Sequence, residues 1–187
     1  LAMCDRQETL AGPVALDAGH PYRAALEHIR ARVLARLALG GHRIAAVAHR
    51  VVHGGAKYFD PVRVDAQVLD DLRGLIPLAP LHQPFALEAI GALLHNMPDL
   101  PQVACFDTAF HHTLPDVEKM LPLSWDAWER GLRRYGFHGL SYEFMSITLP
   151  ERHGDAARGR TIVAHLGSGA SLCAMQGLQS VATTMGF

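Results

Sequence analysis

The amino-acid sequence predicts an α/β protein on three observations. Stretches with helical periodicity alternate with short apolar runs, those runs are too brief for helices, and glycine or proline marks most of the joints. The 187 residues are 49% hydrophobic and 19% charged, the balance of a folded globular chain with room for one domain or parts of two.

Residues 1–20 show no clear period and read as a loop or the remainder of an earlier element. A first helix is expected from Pro21, with Tyr22, Leu26, Ile29, Val33 and Leu37 as its apolar stripe and Gly40-Gly41 as its stop. Ile44 to Ala48 then reads as a buried strand running on to His53, before Gly54-Gly55. Asp65 is a good N-cap for a second helix that buries Val68, Leu72 and Leu75, and Pro77 to Pro80 force a break. A third helix follows Pro84, with Ala86, Ile90, Leu93, Leu94 and Met97 on one face. Val103 to Phe106 is a second buried strand, ending in Asp107-Thr108. The irregular stretch beyond carries Trp125 and Trp128, both read as packing residues. A helix is expected from Ser141 to about His153, with Pro150 as the place where it could stop early; the strand Thr161–His165 follows. Leu172 to Val181 reads as a hairpin turning at Gln176-Gly177.

Composition excludes several function classes. A net charge of −1 gives no basic field for nucleic acid. No apolar stretch reaches the roughly 20 residues that span a bilayer, and the N-terminus has no signal architecture. Cys4, Cys105 and Cys173 are odd in number and far apart, which points to a reducing compartment, the cytoplasm.

Four segments share one design, an apolar strand whose carboxyl end delivers polar residues beside glycine or a turn. They are residues 47–55, 105–111, 135–139 and 164–171. Ligands collect at the carboxyl ends of strands in α/β folds. The inventory of an arginine, a carboxylate, imidazoles and glycine-flanked amides suits a phosphoryl group.

At these residues the chain resembles the acetate kinase family, which includes propionate and butyrate kinases. The matching segments are His49-Arg50-Val51-Val52-His53-Gly54-Gly55, Leu78 to Pro84, Phe106 to Thr113, Arg134 to Gly139, and His165 to Ser171. Five matches in order between residues 42 and 187 are far more specific than any one alone.

The resemblance implies the two-lobed ASKHA fold of actin and hexokinase, with residues 1–109 the remainder of the first lobe and 110–187 the start of the second. It implies ATP and Mg²⁺ as cofactors, a short carboxylate as the partner substrate, an acyl phosphate as product, and a homodimeric parent. By the same resemblance Arg50 binds the carboxylate and stabilises the phosphoryl group in flight. Asp107 orders Mg²⁺ through water or positions the substrate, and His138 hydrogen-bonds the phosphoryl group. Val52, Leu81 and Phe137 wall the acyl pocket with His82 beside it. His165, Gly167, Ser168 and Gly169 form the ATP phosphate loop.

The sequence departs from the family at four places. Ser168 replaces an asparagine, Leu140 and Tyr142 replace the threonine and histidine of a Thr-Ser-His continuation, and Ala182 replaces an aspartate. The family's Asn-Ala-Gly-Ser-Ser-Ser strand, second arginine and adenosine loops find no match. The chain is therefore expected to be an internal piece with no turnover of its own. A remnant without catalysis is the alternative expectation. The twelve histidines raise a further one, a metal-binding protein using His49, His53, His111 and His112.

Overall fold

The computed structural model describes residues 3–5, 8–11, 15, 19 and 21–186. In chain order it comprises β1 (Met3–Asp5), β2 (Glu8–Ala11), α1 (Pro21–Leu39), β3 (Val47–Val51), β4 (Val62–Arg63), α2 (Ala66–Gly74) and α3 (Gln83–Asn96). There follow β5 (Gln102–Phe106), the short helices α4 (Asp116–Lys119) and α5 (Trp125–Glu129), α6 (Gly139–His153), β6 (Arg160–Leu166), β7 (Ala170–Gln176) and β8 (Gln179–Thr183). The α/β class is as expected.

Two three-stranded sheets organise the chain. In the first, ordered β3-β5-β4, β3 runs parallel to β5 with Arg50 opposite Cys105 and Val51 opposite Phe106. Strand β4, which the sequence did not reveal, is only two residues long and pairs antiparallel to β5. Its shortness hides it, because no alternation is readable in Val62-Arg63. The core here joins Val51, Val64, Val68, Leu69, Leu72, Leu87, Ile90, Ala104 and Phe106. Asp65 caps α2 as expected, its side chain accepting the Val68 N–H at 2.8 Å.

The second sheet is the antiparallel meander β6-β7-β8. Ser171, Cys173 and Met175 alternate toward α6, where Tyr142, Phe110, Leu149 and Val163 complete a second core. The opposite face of β6 is apolar and exposed, with Ile162 at 74% and Leu166 at 78%. Among the described residues the strand expected here is covered on one face only.

Several other expectations are corrected. Residues 3–5 and 8–11 pair as an antiparallel hairpin within the stretch read as a loop. The first buried strand begins at Val47 rather than Ile44 and ends at Val51. The stripe on α1 is largely uncovered at Leu26 and Ile29, while the Tyr22 side chain lies outside the described residues. On α3 the buried positions are Gln83, Leu87 and Ile90; of the expected face Ile90 and Leu94 join the core, while Ala86, Leu93 and Met97 are half-buried. Pro150 sits inside α6 without shortening it. Trp125 is exposed and donates to Glu129, whereas Trp128 packs beneath the Arg133 guanidinium. Residues 135–138 are not a strand; they form an irregular connection into α6. Cys105 and Cys173 are free thiols. Among the described residues no helix is long and apolar enough to cross a membrane.

Candidate active site

The carboxyl end of the first sheet meets the amino end of α6, and three of the expected polar residues gather there. Arg50 leaves β3 beside Asp107, which follows the last residue of β5. The guanidinium Nε donates to Asp107 Oδ1 at 3.0 Å and Nη2 to Oδ2 at 2.6 Å. Asp107 is 2% exposed, while the Arg50 side chain is 62% exposed. The pair therefore anchors a buried carboxylate with an arginine whose outer edge faces solvent. Among the described residues neither Nη1 N–H is engaged, a pair of donors suited to carboxylate or phosphoryl oxygens.

His138 enters the same neighbourhood from the connection before α6. Its φ of 60° is left-handed, a conformation that non-glycine residues hold only where their surroundings enforce it. Three contacts do so. The Gly139 N–H donates to the Asp107 carbonyl at 2.7 Å. On the other side, buried His111 bridges the preceding residue to β8, through Nε2 to the Phe137 carbonyl at 2.9 Å and Nδ1 to Ser180 Oγ at 2.8 Å. Finally, the His138 ring stacks on His165 at 4.1 Å and its Nδ1 meets Ser171 Oγ at 2.8 Å. Burial, reinforced by His165 and Arg50 and opposed by Asp107, lowers the His138 pKa, so the ring is neutral at pH 7.

The Gly167–Gly169 turn between β6 and β7 faces this imidazole. A Cβ added to Gly169 would stand 3.1 Å from His138 Nε2. Glycine thus leaves room for a ligand oxygen or a backbone approach beside that nitrogen. Ser168, at the tip, is exposed. His165 Nδ1 lies 3.1 Å from Ser141 Oγ, which braces the stack, while its Nε2 would stand 3.9 Å from a Cβ added to Gly167 of the turn.

The residues expected to wall an acyl pocket are less united. Val52 and Phe137 are half-buried beside His53, whose ring lies 5.8 Å from that of Phe137. Leu81 is 78% exposed and His82 is exposed as well, on the approach to α3. His53 is built into the fold: Gln83 accepts its N–H and donates to its carbonyl, and its Nδ1 accepts the Gly55 N–H at 2.9 Å. His49 Nε2 pairs instead with Gln102. Among the described residues no three His, Cys, Asp or Glu side chains group as a metal-ligand set.

Burial drives the His53 pKa down to about 4. The unfolded chain, with an ordinary value near 6.5, takes up its proton first as pH falls. The stability from neutral His53 is therefore fully present above about pH 6.5 and is lost as pH falls toward 4. The expected loss between pH 7 and pH 5 is about 2 kcal/mol, read from urea midpoints. His53→Asn should flatten that slope; equal slopes for the two proteins would rule out His53 as its origin.

Sequence reasoning gave no role to Ser171 or Gln83, and it noted Tyr142 only as a departure. All three are fully or nearly fully buried. Their signal was a polar side chain placed in phase with apolar neighbours, which spacing alone does not distinguish from a surface residue.

A family model described as the acetokinase family matches residues 7–187. The chain belongs to the acetokinase family. Across 147 residues it is 57% identical to an acetate kinase of Rhodopseudomonas palustris, covering 78% of this chain and 37% of the relative. Among solved structures it is similar to a propionate kinase from Francisella tularensis, with a TM-score of 0.80 and 35% identity over 88% of this chain and 42% of that one. It is also similar to the acetate kinase of Entamoeba histolytica, with a TM-score of 0.75 and 32% identity over 96% of this chain and 43% of that one. The fold is that of the acetate kinases, as the sequence resemblance implied. The chain spans about two fifths of the length of these acetokinase relatives.

Proposed function

We propose that, within a polypeptide of its relatives' full length, this segment forms the phosphoryl-transfer corner of an ATP-dependent kinase for short-chain carboxylates. Acetate is the default substrate and propionate the close rival, since one methylene is worth only about 1–3 kcal/mol of discrimination. The observation that carries this reading is the convergence of the Arg50–Asp107 pair, neutral His138 and the Gly167–Gly169 turn on one neighbourhood.

A carboxylate substrate is ionised at neutral pH, so its oxygen attacks the γ-phosphorus without a general base. The new carboxylate O–P bond forms as the bond to the ADP oxygen breaks, in line. What remains for the protein is alignment and charge stabilisation. Arg50 offers Nη1 to the carboxylate and the equatorial oxygens, His138 donates one hydrogen bond to the same group, and the glycine turn admits the ATP phosphates. Mg²⁺ would supply charge neutralisation on those phosphates. Asp107 Oδ1 accepts from Arg50 Nε and Oδ2 from both Nε and Nη2, so among the described residues a lone pair stays open on Oδ1. That fits a hydrogen bond to a metal-bound water better than direct ligation. The same reading places the lobe boundary after residue 109, where the chain leaves the first sheet, and takes the parent as a homodimer in the cytoplasm.

The test is a chimera in which residues 42–186 replace the matching segment of the Rhodopseudomonas palustris acetate kinase. Hydroxylamine trapping should detect acyl phosphate from ATP, Mg²⁺ and acetate. The 187-residue chain alone should form none. A folded, ATP-binding chimera without turnover would refute the assignment, and robust turnover by the isolated chain would refute its role as one corner of a larger site.

A further inference from the structure

We propose that Tyr142, acting through Ser171, is a positioning residue that holds His138 with its ring proton on Nε2, facing the Gly167–Gly169 turn. The proposal rests on the phosphoryl-transfer reading above for its purpose, though not for its geometry.

Three groups form a chain of contacts. Tyr142 Oη lies 2.5 Å from Ser171 Oγ, and Ser171 Oγ lies 2.8 Å from His138 Nδ1. Tyr142 is fully buried on α6, and Ser171, at 3% exposure, sits on β7 opposite His165 of β6. Water therefore has little access to the two hydroxyls, and each must find its partners within the protein.

The direction of the protons follows from chemistry. A phenol is a stronger acid and a poorer acceptor than an alcohol, so Tyr142 donates to Ser171. The phenolic proton is buried together with the Tyr142 ring. In the reverse arrangement that buried proton would have no acceptor among the described residues, at the cost of an unmade hydrogen bond. With its oxygen occupied, Ser171 sends its own proton to His138 Nδ1. A neutral imidazole that accepts at Nδ1 carries its proton on Nε2. Nε2 is the nitrogen beside Gly169.

The surroundings keep the ring in that state. His165 stacks on one face, and Asp107, Arg50 and His111 act from the first sheet and the segment after it. By the resemblance, Tyr142 stands where the family usually has a histidine, so the hydroxyl that heads this chain is a departure from that pattern.

The experiment is long-range ¹H–¹⁵N NMR of the full 187-residue chain at neutral pH. The His138 signals are identified by their loss in His138→Gln. The wild type should show a protonated Nε2 and an unprotonated, accepting Nδ1. Tyr142→Phe, which keeps the ring, should move His138 toward averaged tautomers and raise its pKa, and Ser171→Ala should do so more strongly. Should Tyr142→Phe fail to fold, Ser171→Cys, nearly the same size and a weaker donor, gives the same reading. A wild-type ring protonated on Nδ1 overturns the proposal. So does a tautomer and pKa unchanged in the folded variants. Titration of the chimera with ATP is a separate arm: if the variants move the tautomer while bound ATP leaves His138 of the chimera undisturbed, the positioning role stands and the phosphoryl contact falls.

Discussion

Arg50→Ala, in a full-length acetokinase chimera, is expected to lower kcat for acyl phosphate formation by about 10²–10³-fold. The charged contact it removes is one made to charge that moves during transfer, worth about 3–4 kcal/mol. The structure adds a complication, because Arg50 also neutralises Asp107, which is 2% exposed. Removing one partner of such a pair leaves a buried charge and destabilises the fold. Rate and stability can be separated. In the Arg50→Ala/Asp107→Asn double variant the buried charge is gone, so melting temperature should recover while turnover does not. Arg50→Lys should fall between, because an ammonium keeps the charge without the planar fork. Steady-state kinetics with hydroxylamine trapping, alongside thermal melts, gives both readings. Turnover near the parent's in a well-folded Arg50→Ala protein would remove Arg50 from phosphoryl transfer.

What the sequence disclosed depended on whether the signal was local. Asp65 reads as an N-cap because capping is a matter of adjacent residues, and the structure has its carboxylate on the Val68 N–H. The hairpin of β7 and β8 was equally legible, its turn at Gly177-Leu178 adopting positive φ at both positions. Arg50, Asp107 and His138 were found through matched motifs, since no spacing rule relates positions so far apart.

Other features depend on partners distant in sequence and were not legible. Gln83 looks like an ordinary first-turn residue, yet it closes two hydrogen bonds on the His53 backbone from another element. Residues 135–138 resemble a strand by composition, but no neighbouring strand pairs with them among the described residues, and the Gly136 turn at φ 80° ends any extension. The exposed face of β6 shows the converse. Apolar residues on both faces predict burial on both, and among the described residues only the face toward α6 is covered. Leu81 and His82 were assigned by resemblance alone, and both stand exposed in the turn that leads into α3.

Gly139→Ala should produce the second large effect, on stability and rate together. Gly139 opens α6, which packs on the second sheet, while the Asp107 carbonyl it bonds lies at the end of the first. A Cβ here would collide with that carbonyl and press on Phe110 Cβ at 3.1 Å. Backbone on backbone cannot be relieved by a rotamer change, so the two layers must separate or the hydrogen bond must break. Overpacking at about 1–3 kcal/mol plus a lost hydrogen bond gives about 2–4 kcal/mol, a fall of about 5–15 °C in Tm. The rate in the chimera should drop by about 10²-fold, because His138 adjoins the joint and its distance from Arg50 is set there. Gly74→Ala is the control: a Cβ at that helical position meets nothing within 4 Å, so its melt and rate should stay near the parent's. If Gly139→Ala behaves like Gly74→Ala, the contact between Asp107 and Gly139 is not what holds the arginine and the imidazole to one site.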